Sequence, residues 1–517
     1  MKISLRGILM SCGAGLVLAA AAPASAQSGD PEFSVELLQL MVDEGLLSAE
    51  KAQGLLDRAR ARVEEKKARE VAQATAIEVP YVPEIVREQI RDEVKAEVIA
   101  KAQEERWITA DPIPKWIDGI ELSGDIRLRR EQTYFNEDNF FGFPDLQFIN
   151  DAGGVVAAEG VPTLNTTNDF GRSLYRARLG VKARVAEAVE VGLRLGAGRD
   201  RSPISTNALL GEYFQKDGLW IDRAYLSVRP IDQLTLTGGR MPNPFFSTDL
   251  VWDEDINPEG VAATVRVPVT GKAGLFAVAG AFPLESYQTN AVDLERWMWG
   301  VQAGGEVKAG DLTFKAAVAY YDYRNLEGVK NSQDSRLTDY TALPVLGIGN
   351  SKFNIRNDAT TQLIGLSSDF DVLNATASLG YRMFDDVEIR LTGDYARNLA
   401  FDADAIAALE SSSANPGDTA WQVRLDLGSP AMSGFGDWFL GAAYKRLETD
   451  SVLDIFTDSD FGAGGTDLEG YVLEGGFGVY RNTWLGARWL SADAIDRAAL
   501  VPVYGADILM IDLNAAF

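Results

Sequence analysis

Seven cations between Arg127 and Arg194 fall where spacing could give them a shared job. Arg176, Arg178, Lys182 and Arg184 alternate with Tyr175, Ala177, Leu179, Val181, Ala183 and Val185, Arg127 and Arg129 alternate with Ile126 and Leu128, and Arg194 follows. A strand turns successive side chains to opposite faces, so this spacing puts positive charge on one surface and apolar groups on the other. The chemistry on offer is attraction of anions rather than bond-making. The chain contains no histidine, which removes the usual general base and the commonest metal ligand, and with them histidine-dependent hydrolase and imidazole-metal sites. Neither an enzymatic activity nor a cofactor is expected.

A second cluster has the opposite sign. After Arg240, the stretch 241–258 carries Asp249, Asp253, Glu254 and Asp255 beside Phe245, Phe246 and Trp252. Folded inward opposite the basic wall, it would constrict a pore and set a transverse field that screens solutes by size and charge. The alternative is an acidic loop that stays outside. Carboxylates in 457–469, including Asp458, Asp460, Asp467 and Glu469, offer oxygen ligands for calcium, but their spacing matches no defined calcium loop and solvated acidic loops are the plainer reading.

The elements that must position these residues are strands. From Gly119 onward the hydrophobic period is two, and sixteen segments repeat it: 119–131, 171–186, 188–199, 220–229, 232–241, 259–268, 272–283, 295–308, 311–323, 371–384, 386–399, 418–428, 436–447, 467–481, 484–490 and 504–517. Most are near the roughly 9 to 11 residues a tilted membrane strand needs, and bacterial single-chain barrels have even strand numbers. Connections alternate between short ones, such as Pro230-Ile231 and Ala309-Gly310, and long ones, such as 132–170, 242–258 and 324–370. Short turns on one rim and long loops on the other give a barrel this rhythm. Aromatics near strand ends, among them Tyr134, Trp299, Trp421 and Trp484, suit interfacial girdles. The last strand closes with Leu509, Ile511, Leu513, Ala515 and Phe517 on one face.

The leading residues place this barrel outside the cytoplasm. Lys2 and Arg6 precede an apolar run from Ile8 to Ala22 and the small-residue site Ala24-Ser25-Ala26, so 1–26 reads as a secretory signal peptide. A lipobox at Leu9-Met10-Ser11-Cys12 competes, but Met10 fits it poorly. Cleavage before Gln27 removes the only cysteine, leaving no disulfide for the exported chain. No later run approaches the roughly 18 to 20 apolar residues of a membrane-spanning helix. With 75 acidic residues against 49 basic, a net charge of −26, nucleic acid is excluded as a partner.

Residues 27–110 have helical spacing. Ser34 and Ser48 are candidate caps and Gly45 a stop, giving a helical hairpin, and after Pro80-Tyr81-Val82-Pro83 a stripe of Val86, Ile90, Val94 and Val98 suits self-association as a coiled coil. A solvated helix on the barrel rim satisfies the same pattern. The expected layout is a signal peptide (1–26), a periplasmic helical region (27–110) and an all-β transmembrane barrel of about sixteen antiparallel strands (111–517).

Several strings resemble the bacterial putative-porin family: Val79-Pro80-Tyr81-Val82-Pro83-Glu84-Ile85-Val86, Ile90-Arg91-Asp92-Glu93-Val94, Leu122-Ser123-Gly124-Asp125-Ile126-Arg127-Leu128-Arg129, and Gly239-Arg240-Met241-Pro242-Asn243-Pro244-Phe245 followed by Thr248-Asp249-Leu250-Val251-Trp252-Asp253. The resemblance implies an outer-membrane channel and supplies no catalytic or cofactor positions. The expected function is passive diffusion of small hydrophilic solutes and ions through the outer membrane, with homotrimeric association as in other sixteen-strand barrels. Phe517 would serve as the signal read by the barrel assembly machinery. Two other functions remain open: a tether binding peptidoglycan through the N-terminal helices, and an adhesin served by the long loops.

Overall fold

The computed structural model describes residues 119–156, 160–198, 202–289, 292–384, 387–409, 415–495 and 504–517. The signal peptide and the helical region expected over 27–110 lie outside them.

Sixteen antiparallel strands form one closed sheet: β1 Ile120–Phe135, β2 Phe170–Ala186, β3 Val189–Gly198, β4 Gly218–Ile231, β5 Leu234–Arg240, β6 Glu259–Thr270, β7 Ala273–Gln288, β8 Asp293–Ala309, β9 Leu312–Arg324, β10 Asp371–Phe384, β11 Val387–Asn398, β12 Thr419–Gly428, β13 Trp438–Leu447, β14 Leu468–Tyr480, β15 Thr483–Ala494 and β16 Gly505–Ala516. Each pairs with its sequence neighbours, and β1 pairs with β16, which closes the ring and leaves no free edge. The seam has a defined end: Phe517 and Gly124 exchange both backbone hydrogen bonds, at 2.9 and 3.0 Å. A Cβ built on Gly124 would sit 2.5 Å from the Phe517 ring, so the glycine leaves that ring its place.

The alternation read from sequence sets the two faces. On β1, Leu122 and Ile126 are 65% and 53% exposed on the outer wall, whereas Arg127 and Arg129 are buried within. Tyr134 stacks near Trp489 and Trp421 near Tyr444, with centroids 6.3 and 5.6 Å apart, on the outer surface. Trp484 departs from the girdle expectation: it shares the inner face of β15 with Arg488 and lines an internal cavity.

The rhythm of connections also has two exceptions. The segment 289–292, on the long-loop rim, has only four residues, because β7 and β8 run on past the ends expected for them. Pro283 suggests a strand end there, since proline cannot donate to the ladder, but a register shift between Arg296 and Trp297 absorbs it. On the opposite rim, 429–437 is longer than a tight turn.

Three loops fold into the loop-side half of the interior. Loop 3 (241–258), loop 5 (325–370) and loop 7 (448–467) contribute Leu250, Trp252, Leu343, Leu366, Leu453 and Phe461 to one apolar core with inward residues such as Tyr321, Leu490 and Met510. Buried polar contacts fix the packing. Lys352 of loop 5 bonds Asp454 of loop 7 at 2.6 Å, and Ser351 bonds Asp450 through its backbone N–H at 2.9 Å.

Candidate functional site

Loop 3 leaves the wall at a neck that only glycine permits. Gly239 on β5 and Gly260 on β6 are register partners with φ of 112° and 147°. A Cβ on either would lie 2.3 or 2.2 Å from the carbonyl oxygen of Ala224 or Ala281. The Met241 N–H donates to the Pro258 carbonyl at 2.9 Å and closes the neck. Asn257 then ties the loop to β4, accepting from Arg223 at 2.6 Å and donating to Asp222 at 2.9 Å.

From this neck the loop crosses the interior. The Phe246 backbone exchanges hydrogen bonds with Gln302 of β8, both at 2.8 Å, and the Thr248 hydroxyl donates to Asp394 of β11 at 2.5 Å. Phe245 and Trp252 pack edge-on against Tyr321 of β9. One side of the loop thus adheres to β7–β11 through apolar contacts and hydrogen bonds, leaving its carboxylates for the opposite wall and for loop 7.

Those carboxylates divide. Asp255 bonds Arg178 at 2.9 Å, and Glu254, with its side chain 80% exposed, lies 3.9 Å from Arg176. Asp249 accepts from Lys445 of β13 at 2.7 Å; the same ammonium reaches Asp458 of loop 7 at 2.6 Å. Burial alone would raise the Asp249 carboxyl, but Lys445 outweighs it and holds it down at about 2. Asp253 has no cation paired with it among the described residues: it accepts from the backbone N–H groups of Asp255 and Ser459, and burial, then the charge of Asp458, push it up to about 8.

Beneath the loop lies a cavity of about 610 Å³ whose walls carry Arg127, Arg129 and Arg176 from β1 and β2 and Arg390, Arg424 and Arg488 from β11, β12 and β15. Most of this charge is paired. Arg129 grips Asp512 through two hydrogen bonds of 2.8 and 2.9 Å and also reaches Asp460 of loop 7 at 3.1 Å. Arg488 holds Asp460 at 2.7 Å and Glu474 at 3.2 Å, and Glu474 in turn meets Arg424. Burial would raise Asp460, yet Arg129 and Arg488 keep it below the ordinary carboxylate value. Positive and negative groups therefore alternate around the wall from β1 to β12.

The sequence-derived basic wall is thus divided and extended. Arg176 and Arg178 bracket Asp125, each at 2.8 Å, and Arg194 pairs with Asp222. Lys182 and Arg184, exposed toward the short-turn rim, make no ion pair among the described residues and do not line the cavity. Arg240 pairs with Glu259 at 2.6 Å and borders a separate, mostly apolar cavity of about 270 Å³ with Trp252 and Phe456. Arg390, Arg424, Lys445 and Arg488 were missed by sequence reasoning, although the alternation of Leu391, Val423, Leu425 and Tyr444 marks the inward register on three of their strands. The acidic loops contain no group of three or more potential metal ligands among the described residues.

The family model described as "Putative porin" matches residues 31–517. The chain belongs to that family. It is an outer-membrane barrel of the porin kind, consistent with its closed ring of strands. No curated protein sequence matches this porin. Among solved structures, OprB of Pseudomonas putida is similar at 12% identity, covering 78% of this chain and 96% of that one with a TM-score of 0.44. OmpF of Salmonella typhi follows at 10% identity, 78% and 99% coverage and a TM-score of 0.42. The channel DcaP of Acinetobacter baumannii is at 12%, 77% and 97%, with a TM-score of 0.39. The architecture rests on the strand pairing of this chain itself.

Proposed function

We propose that this porin forms a water-filled channel for passive diffusion of small hydrophilic solutes and ions, with loop 3 as its constriction. The observation that carries the reading is the charged cavity of about 610 Å³ inside the ring, roofed by loop 3 and walled by arginines. Cations cost roughly 2–4 kcal/mol each toward lipid near the midplane, so placing them inside is both a stability requirement and the source of a field across the solute path. The carboxylates of loop 3 and loop 7 set the opposing sign. Phe517 is proposed as the signal read by the barrel assembly machinery, and a homotrimer in outer-membrane lipid as the working assembly.

Reconstitution of the purified full chain into planar bilayers tests this. Stepwise conductance is expected, with permeability moving from anions toward cations when Arg176 and Arg178 are both changed to Glu. A barrel that inserts but never conducts overturns the channel reading. The tether and its peptidoglycan contact depend on 27–110, outside the described residues, and gain no support from the barrel.

A further inference from the structure

Arg127 and Arg176 are register partners on β1 and β2, so two guanidiniums rise from directly opposed positions into the cavity beneath loop 3. Like charges placed opposite one another on paired strands repel. Arg176 has relief from Asp125 at 2.8 Å. Arg127 has none among the described residues: it is 8% exposed, no described carboxylate lies within ion-pair distance, and its one hydrogen bond among them runs from Nη2 to the Asn207 Oδ1, in the connection between β3 and β4, at 2.7 Å.

Two donors are left over. Nε of Arg127 and Nη1 of Arg176 are both buried without an acceptor among the described residues. The carboxylate oxygens of Glu254 and Asp255 lie 3.9 Å from Arg176 Nη1, too far for a hydrogen bond. Buried donors are nearly always satisfied, and one on a cation is costly to leave bare. Two adjacent guanidiniums lacking acceptors at a cavity wall match what an oxyanion needs, because carboxylate and phosphate oxygens accept several charge-assisted hydrogen bonds at once.

We infer that Arg127 and Arg176 form a binding subsite for the oxyanion group, carboxylate or phosphate, of a passing solute, with Asn207 as the positioning residue that aims Arg127. Glu254, exposed at the edge of this pair, acts as an electrostatic competitor. The inference rests on the channel reading and makes it specific: the pore holds anionic solutes at one fixed point on their way through.

The test uses malonate and inorganic phosphate as probes in two measurements on the full chain. In bilayers, either probe is expected to reduce chloride conductance saturably. Arg127→Gln should weaken that block by about tenfold, the equivalent of one charge-assisted hydrogen bond. Asn207→Ala should weaken it without changing net charge, Glu254→Gln should strengthen it, and Lys308→Gln on the short-turn side should leave it alone. Calorimetric titration of the same probes into detergent-solubilised protein reads binding whether or not the barrel conducts. Binding without conductance would sink the channel and keep the subsite. Conductance with no saturable block or binding would remove the subsite and keep the channel, as would equal weakening by Arg127→Gln and Arg390→Gln, the mark of a diffuse field. The relative strength of malonate and phosphate shows which oxyanion is preferred.

Discussion

The Lys445 ammonium lies 2.7 Å from the Asp249 carboxylate, with the lysine side chain only 3% exposed. The same ammonium holds Asp458, so one cation from the wall clasps both inserted loops. Changing Lys445 to Met removes the ammonium that bonds both carboxylates; Asp458 is enclosed, whereas Asp249 is 31% exposed and still feels Arg488, so the loss falls below the about 3–5 kcal/mol of a fully buried pair broken in this way. A lower heat-unfolding midpoint in detergent and new protease sensitivity in 241–258 and 448–467 are expected. Adding Asp249→Asn and Asp458→Asn should recover much of the loss. An unmoved midpoint would show that the clasp is not structural.

Asp253 gives the barrel a pH dependence of defined sign. Its carboxyl stands at about 8 in the folded chain against an ordinary 3.8, through burial first and Asp458 second. Between these values the unfolded chain has released the proton that the folded chain retains, so stability falls as pH rises from about 4 to about 8 and levels off above. Asp253→Asn should flatten that decline, matching the parent near pH 4 and exceeding it at pH 9 in thermal midpoint. Parallel curves for both proteins would remove Asp253 from the account.

Asp125 bridges two arginines at once, bonding Arg176 and Arg178 at 2.8 Å each and offsetting one unit of their charge. Asp125→Asn keeps the shape and removes the charge. A shift of reversal potential toward anions is expected, with some loss of stability from the unbalanced cations. Unchanged selectivity would mean that ions pass elsewhere.

Gly239 carries the neck of loop 3. Gly239→Val adds a β-branched side chain at φ 112°, where its Cβ meets the Ala224 carbonyl oxygen. The strain is of order 1–3 kcal/mol. It should lower the unfolding midpoint and loosen loop 3, read as noisier conductance, whereas Gly393→Val, in open space on β11, should be milder.

The strands were legible in the sequence because a barrel wall between lipid and a polar interior imposes period two on each of them. All sixteen expected segments are strands, and the inward register of Arg127, Arg176 and Arg178 follows from it. Partnership was not legible. Arg129 meets Asp460 across 331 positions, and no local spacing connects them. Period two also fails as a guide where Ile508 and Met510 face inward yet are apolar. Their partners are loop residues, and the inward course of loops 5 and 7 leaves no periodic trace. The neck of loop 3 shows the intermediate case: the string from Gly239 onward is recognisable, but the backbone reason for its glycine needs the third dimension.

Because Phe517 and Gly124 complete the seam, the sixteen strands form a circuit with no inherent first member. A permuted gene that joins residue 517 to the start of β1 through a short linker, and opens instead at the turn 310–311 after Ala309, would encode the same hydrogen-bonded ring. Such a chain would lack a terminal aromatic at the seam while keeping every strand pair. Refolding in detergent alongside failure to reach the membrane in cells would separate what the ring needs to be stable from what the cell needs in order to recognise it.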